Sequence, residues 1–102
     1  MDEAFQEADF VYAKSWGSLS QYGNFNNEEH SKHKNWIVDS KKMALTKNAY
    51  FSHCLPLRRN VKATDKVIDS KYSLIYDEAE NRLHTQKAII MKLLKKNEIN
   101  YT

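Results

Sequence analysis

Three short clusters in this 102-residue chain carry side chains able to hold an anion. Lys14-Ser15-Trp16-Gly17 sets an ammonium beside an indole. His53-Cys54-Leu55-Pro56-Leu57-Arg58-Arg59 joins an imidazole, a thiol and two guanidiniums. Asp77-Glu78-Ala79-Glu80-Asn81-Arg82 sets three carboxylates ahead of an arginine. Each cluster supplies a cation, and arginine suits planar oxyanions because its fork donates two parallel hydrogen bonds. The ligand class is therefore a phosphate or a carboxylate.

Other chemistries fit these residues less well. Cys54 as a nucleophile would need His53 as its base, but neighbours on a strand point to opposite faces. A buried cysteine more simply acts as a small apolar group. Glu29, His30 and His33 lie in a polar stretch whose spacing reads as solvated side chains rather than metal ligands. Asp77, Glu78 and Glu80 suit a helix N-terminus, where the dipole favours acids, and Arg82 stands four residues after Glu78 as an i,i+4 partner. Trp16 and Trp36 read as packing residues.

The elements that must position these clusters follow from the apolar pattern. Phe10 to Ala13 is a short apolar run and reads as a buried strand. Residues 15–35, with Gly17 and Gly23 among Ser and Asn, lose periodicity and form a long loop. Asp39 or Ser40 caps a short helix through Leu45. Tyr50 to Leu55 is a second strand, stopped by Pro56. Thr64 caps a short helix carrying Val67 and Ile68. Ser73 to Tyr76 is a third strand. Asp77 to Glu80 has capping-box spacing and opens the longest helix. Ala79, Leu83, Ile90, Leu93 and Leu94 share one face of it, and Lys87, Lys92, Lys95 and Lys96 mostly lie opposite. Asp2 to Ala8, ahead of the first strand, reads as the last turns of a helix.

Strands alternating with helices, and too apolar to be half exposed, predict an α/β fold with a parallel sheet covered on both faces. In such sheets ligands bind beyond the carboxyl ends of the strands, where all three clusters fall. Three strands and few helices are thin for a complete domain, so the expectation is a piece of a larger protein, or a chain that folds only with a partner. Composition excludes other classes. No apolar run is long enough for a membrane helix, and no secretory signal opens the chain. The single cysteine, Cys54, excludes an internal disulfide framework and suits a reducing cytoplasm. A net charge of +3 with no dense basic stripe argues against nucleic acid. The mean hydropathy of −0.76 leaves little apolar surface for a large core.

The clusters also carry a resemblance. Phe51 to Asp65, containing His53-Cys54-Leu55-Pro56 with Arg58 and Arg59, resembles the HCLPxRR segment of the aspartate/ornithine carbamoyltransferase superfamily. Asp77 to His84 and Gln86-Lys87-Ala88 continue the match, and Tyr12 to Gly17 places it nearest the N-acetylornithine branch. Free-ornithine enzymes carry an Asp-x-Trp-x-Ser-Met-Gly type loop where Lys14-Ser15-Trp16 stands here.

The resemblance implies a Rossmann-like fold, here its C-terminal part, with about three parallel strands, flanking helices and a long final helix. Residues 1–102 would be the C-terminal segment of the amino-acid-binding domain, with the carbamoyl-phosphate domain and its Ser-x-Arg-Thr loop absent. The whole enzyme, a cytoplasmic homotrimer of arginine biosynthesis, would carbamoylate N-acetyl-L-ornithine from carbamoyl phosphate without a cofactor or metal. The isolated chain would be inactive. By the same resemblance, the backbone carbonyls of Cys54 and Leu55 accept from the carbamoyl group, and the Leu55-Pro56 bond is cis. Arg82 contacts carbamoyl phosphate, Lys14 pairs with the acetylornithine carboxylate, and Lys62 is a lysine that can be carboxylated. The superfamily's last helix packs toward the first domain, so the lysine-rich helix implies a protein partner rather than a membrane. The alternatives are an N-succinylornithine or ornithine enzyme, or a non-catalytic ligand-binding or docking module.

Overall fold

A computed structural model describes residues 1–16 and 31–101, with side chains through residue 96. The elements in chain order are α1 (Asp2–Phe5), β1 (Phe10–Ala13), a 3-10 turn (Lys34–Trp36), α2 (Ser40–Ala44), β2 (Tyr50–His53), α3 (Asp65–Ile68) and α4 (Ile75–Tyr101). Gly17, Gly23, Glu29 and His30, with most of the expected loop, lie outside the described residues.

β1 and β2 pair in parallel with Phe10 opposite Tyr50 and Ala13 opposite His53. β2 is buried from Phe51 to His53. β1 is not covered on both faces as its apolar run suggested. Val11 and Ala13 pack on the core, while Phe10 and Tyr12 are about half exposed. Alternation along a strand sends these pairs to opposite faces, and the packed elements cover only one of them.

The third expected strand is reduced to one parallel bridge between Phe51 and Ser73. The Phe51 N–H donates to the Tyr72 carbonyl at 2.9 Å, and the Leu74 N–H to the Phe51 carbonyl at 2.8 Å. Helix then takes over at Ile75, two residues earlier than the expected capping box at Asp77. The early start puts Ile75 inside the core, and the Glu78 N–H closes the first turn onto the Leu74 carbonyl at 2.9 Å. Asp77 and Glu78 still occupy the first turn, where the dipole favours them.

The core comprises Phe5, Val38, Phe51, Ala63, Val67, Ile68 and Ile75. Full burial of a Phe or Ile contributes about 1.5–3 kcal/mol, so these few side chains hold β2 against α3 and the start of α4. Two caps set the short helices. The Asp39 carboxylate accepts from the Lys42 N–H at 2.9 Å and starts α2. At α3 the expected Thr64 cap supplies only its backbone carbonyl. The side-chain work falls to Asn60, whose Oδ1 accepts from the Asp65 N–H at 3.0 Å. Asn60 takes φ 60, a left-handed conformation that asparagine tolerates better than most residues.

α4 extends far beyond this core. At 1.5 Å per residue its 27 residues reach about 40 Å. The radius of gyration is 18.3 Å, against about 13 Å for a compact domain of this size. Leu83, Ile89, Ile90, Met91, Leu93 and Leu94 are all more than half exposed. Among the described residues, no helix is long and apolar enough to cross a membrane.

Candidate functional site

The parallel register fixes where the clusters meet. Lys14 follows Ala13, Cys54 follows His53, and those two residues are register partners. Neighbouring strands lie about 4.8 Å apart, so the two segments leave the sheet side by side. Ser73 is level with Phe51, so Ile75 opens α4 level with His53. All three clusters therefore stand at the carboxyl edge of the sheet.

One cleft of about 600 Å³ is lined by Cys54, Leu55, Glu78, Arg82, Thr85 and Gln86. The Leu55–Pro56 peptide bond on its wall is cis. His53 is fully buried beside it. Its Nδ1 hydrogen-bonds the Cys54 carbonyl, which assigns the proton to Nδ1, and its buried Nε2 has no partner among the described residues. The imidazole thus engages the backbone oxygen of Cys54 rather than serving its thiol. A carbonyl oxygen has two lone pairs, so Cys54 keeps one for a ligand donor. Cys54 itself is a free, half-buried thiol.

Arg82 is exposed at this cleft. The expected Glu78–Arg82 ion pair does not form among the described residues. Instead Glu78 Oε1 accepts from the Tyr12 hydroxyl at 3.1 Å, and Oε2 accepts from Ser52 Oγ. Tyr12 and Ser52 are themselves register partners. Partial desolvation and the adjacent carboxylate push the Tyr12 phenol up to about 12. The guanidinium of Arg82, with its neighbouring carboxylate engaged by hydroxyls, is placed to meet an anion.

A second cleft, of about 360 Å³, holds Lys14, Trp16, Trp36, Lys62, Tyr12 and Val38. Lys62 is 3% exposed, and its Nζ lies 3.7 Å from the centre of the Trp16 ring. Burial, and then the charge of Arg58, lower its ammonium from the ordinary lysine value. Trp16 meets Trp36 edge-on at 5.9 Å, and His33 lies against Trp36 at 4.0 Å. The tryptophans stay outside the core, with Trp36 exposed, and form the apolar wall of a cleft that carries two lysines.

The loop that carries Lys62 is tightly held. The Val38 N–H donates to the Lys62 carbonyl at 2.9 Å, and the Thr64 N–H to the Val38 carbonyl at 3.0 Å. Arg59 donates to Asp65 at 2.9 Å and grips both oxygens of Asp69 at 3.0 and 2.9 Å. Arg59 is thus a structural clasp rather than a ligand group.

Of the residues singled out in the sequence, the structure groups Cys54, Leu55 and Arg82 in one cleft and Lys14 and Lys62 in the other. The sequence alone does not group Tyr12, Ser52 and Glu78. A signal existed for Glu78, which shares a helix face with Arg82, but the register that aligns Tyr12 with Ser52 is a tertiary fact.

The sequence profile of the family described as "Aspartate/ornithine carbamoyltransferase, Asp/Orn binding domain" matches residues 1–93. The chain is 57% identical over 96 residues to N-acetylornithine carbamoyltransferase of Xanthomonas campestris pv. campestris, covering 92% of this chain and 28% of that protein. It is 43% identical over 94 residues to N-succinylornithine carbamoyltransferase of Bacteroides fragilis, covering 90% of this chain and 28% of that protein. A crystal structure of acetylornithine transcarbamylase complexed with acetylcitrulline superposes with a TM-score of 0.79 at 59% identity, covering 87% of this chain and 27% of that one. The chain thus spans little more than a quarter of the length of the relatives it matches.

Proposed function

This chain belongs to the aspartate/ornithine carbamoyltransferase family, and on that premise we propose that it forms the C-terminal segment of the amino-acid-binding domain of an N-acetylornithine carbamoyltransferase. The side-chain amine of N-acetyl-L-ornithine attacks the carbonyl carbon of carbamoyl phosphate. A C–N bond forms, the C–O bond to phosphate breaks, and the amine loses a proton. N-acetyl-L-citrulline and inorganic phosphate result. The reaction needs positioning and charge stabilisation rather than a cofactor.

The observation that carries this reading is the meeting of the Cys54 and Leu55 segment with Arg82 in one cleft at the sheet edge. The two carbonyls accept from the carbamoyl NH₂ and orient it without adding charge. Arg82 binds the phosphate oxygens. Lys14, in the second cleft, pairs with the α-carboxylate of N-acetylornithine, the one charge left at Cα once the α-amine is acylated. Lys62 is carboxylated in the working enzyme. The full-length protein is a cytoplasmic homotrimer of arginine biosynthesis, and its carbamoyl-phosphate domain is a separate part of the polypeptide. Similarity favours the acetyl over the succinyl substrate, at 57% against 43% identity.

The test is an assay of citrulline derivatives on the full-length protein and on the 102-residue chain. The full-length protein is expected to convert N-acetylornithine faster than N-succinylornithine or ornithine, and the short chain to convert none. Preference for another acceptor overturns the substrate assignment. Turnover by the short chain overturns the division of the site between domains. Lys14→Ala is expected to raise the KM for N-acetylornithine by about tenfold or more, the loss of one charged hydrogen bond. An unchanged KM removes Lys14 from the site.

A further inference from the structure

Arg82 stands beyond the last packed residue of its helix. Among residues 75–96 of α4, Ile75 is buried, Glu78 is half-buried and the rest are exposed. Ile75 is an apolar contact, which fixes how deep the helix sits but constrains its rotation weakly. Glu78 is directional. Its two oxygens receive the Tyr12 hydroxyl from β1 and the Ser52 hydroxyl from β2, and those donors are aligned by the sheet register. Arg82 follows on the same helix face, one turn or about 6 Å along the axis.

We infer that Glu78 is a positioning residue for carbamoyl transfer: by clasping Tyr12 and Ser52 it sets the rotation of α4 that holds Arg82 over the Cys54–Leu55 cleft. The inference rests on the reaction proposed above. It explains why a carboxylate stands beside an anion site. Two hydroxyl donors absorb its charge, and a phenol that ionises only near pH 12 stays a donor throughout the working range. It also explains why Glu78 and Arg82 do not pair, since a pair would neutralise the guanidinium that the phosphate needs.

The test uses the full-length protein with carbamoyl phosphate varied at saturating N-acetylornithine, and thermal melting as a control on folding. Glu78→Ala is expected to raise the KM for carbamoyl phosphate by about tenfold, the effect of losing one charge-assisted contact. Glu78→Gln, which both hydroxyls can still engage, is expected to restore most of that loss. In an Arg82→Ala background, Glu78→Ala should add little further, because residues that act through one another are not additive. A merely structural role would add its cost in both backgrounds. If Glu78→Ala fails to fold, Tyr12→Phe decides, since it removes one donor at a half-exposed position: a raised KM supports the inference and an unchanged one overturns it. Full additivity with Arg82→Ala also overturns it. Wild-type protein without carbamoyl transfer defeats the proposed reaction and this inference with it. An active wild type with indifferent variants defeats this inference alone.

Discussion

The Nζ of Lys62 sits 3.7 Å over the ring of Trp16, and so a buried amine faces an aromatic surface. The ring favours the ammonium form, since its quadrupole attracts a cation. Burial, and then the charge of Arg58, act the other way and lower the Lys62 ammonium from the ordinary lysine value. Only an unprotonated amine can add carbon dioxide, so the same burial favours the carboxylation proposed for Lys62.

Full-length protein in ¹³C-bicarbonate is therefore expected to show a carbamate carbonyl signal that is lost in Lys62→Arg. The signal should grow as pH rises through the lowered Lys62 value and level off before the ordinary lysine value, because the neutral amine is by then fully populated. A bicarbonate-labelled protein without that signal, at any pH where it stays folded, would refute the assignment.

The clasp that holds the Lys62 loop has its own pH signature. The Asn60 amide and then the Arg59 guanidinium hold the Asp65 carboxyl below its ordinary value of 3.8. Arg59 lowers Asp69 in the same way. Native carboxylates with depressed values bind protons more weakly than the unfolded chain does. Their stabilisation is complete above the ordinary value and is lost as pH falls through the native ones. Urea unfolding should therefore show stability dropping as pH falls below about 4, and the drop should be shallower in Arg59→Gln. Both aspartates are more than half exposed, so the effect is modest. Parallel acid profiles for the two proteins would show that the clasp contributes nothing.

The sequence made the two real strands, the Asp39 cap and the long last helix legible because each rests on a local signal. The strands are apolar runs, the cap is one side chain at one helix start, and the helix has sustained periodicity. What it missed depends on distant partners. Ser73 to Tyr76 has strand composition, yet only Ser73 finds a strand neighbour, and Ile75 gains more by entering the core as helix. Phe10 and Tyr12 look buried because nothing local says which face the packed elements will cover. At the site, the clusters proposed to hold an anion were readable from residue type alone. The pairing of Glu78 with Tyr12 and Ser52, rather than with Arg82, was not. An i,i+4 rule sees along one helix, and the competing donors came from two strands.

The same helix gives the sharpest contrast between apolar residues that matter to this fold and those that do not. Ile75 is 2% exposed at the start of α4, whereas Leu93 is 58% exposed near its end. Deleting a buried isoleucine side chain costs the transfer energy and leaves a cavity, about 2–5 kcal/mol in all, so Ile75→Ala should unfold the 102-residue chain at much lower urea. Leu93→Ala removes atoms already in water, and its cost should stay within about 0.5 kcal/mol. Unfolding followed by circular dichroism separates the two. A large loss at Leu93 would mean that the outer half of α4 is covered in solution, as it would be if copies of the chain associate, and the loss would then depend on protein concentration. A small loss at both positions would mean that the α4–β2 contact is not what holds the helix. Arg82 would then lack the fixed base that its proposed role at the cleft demands.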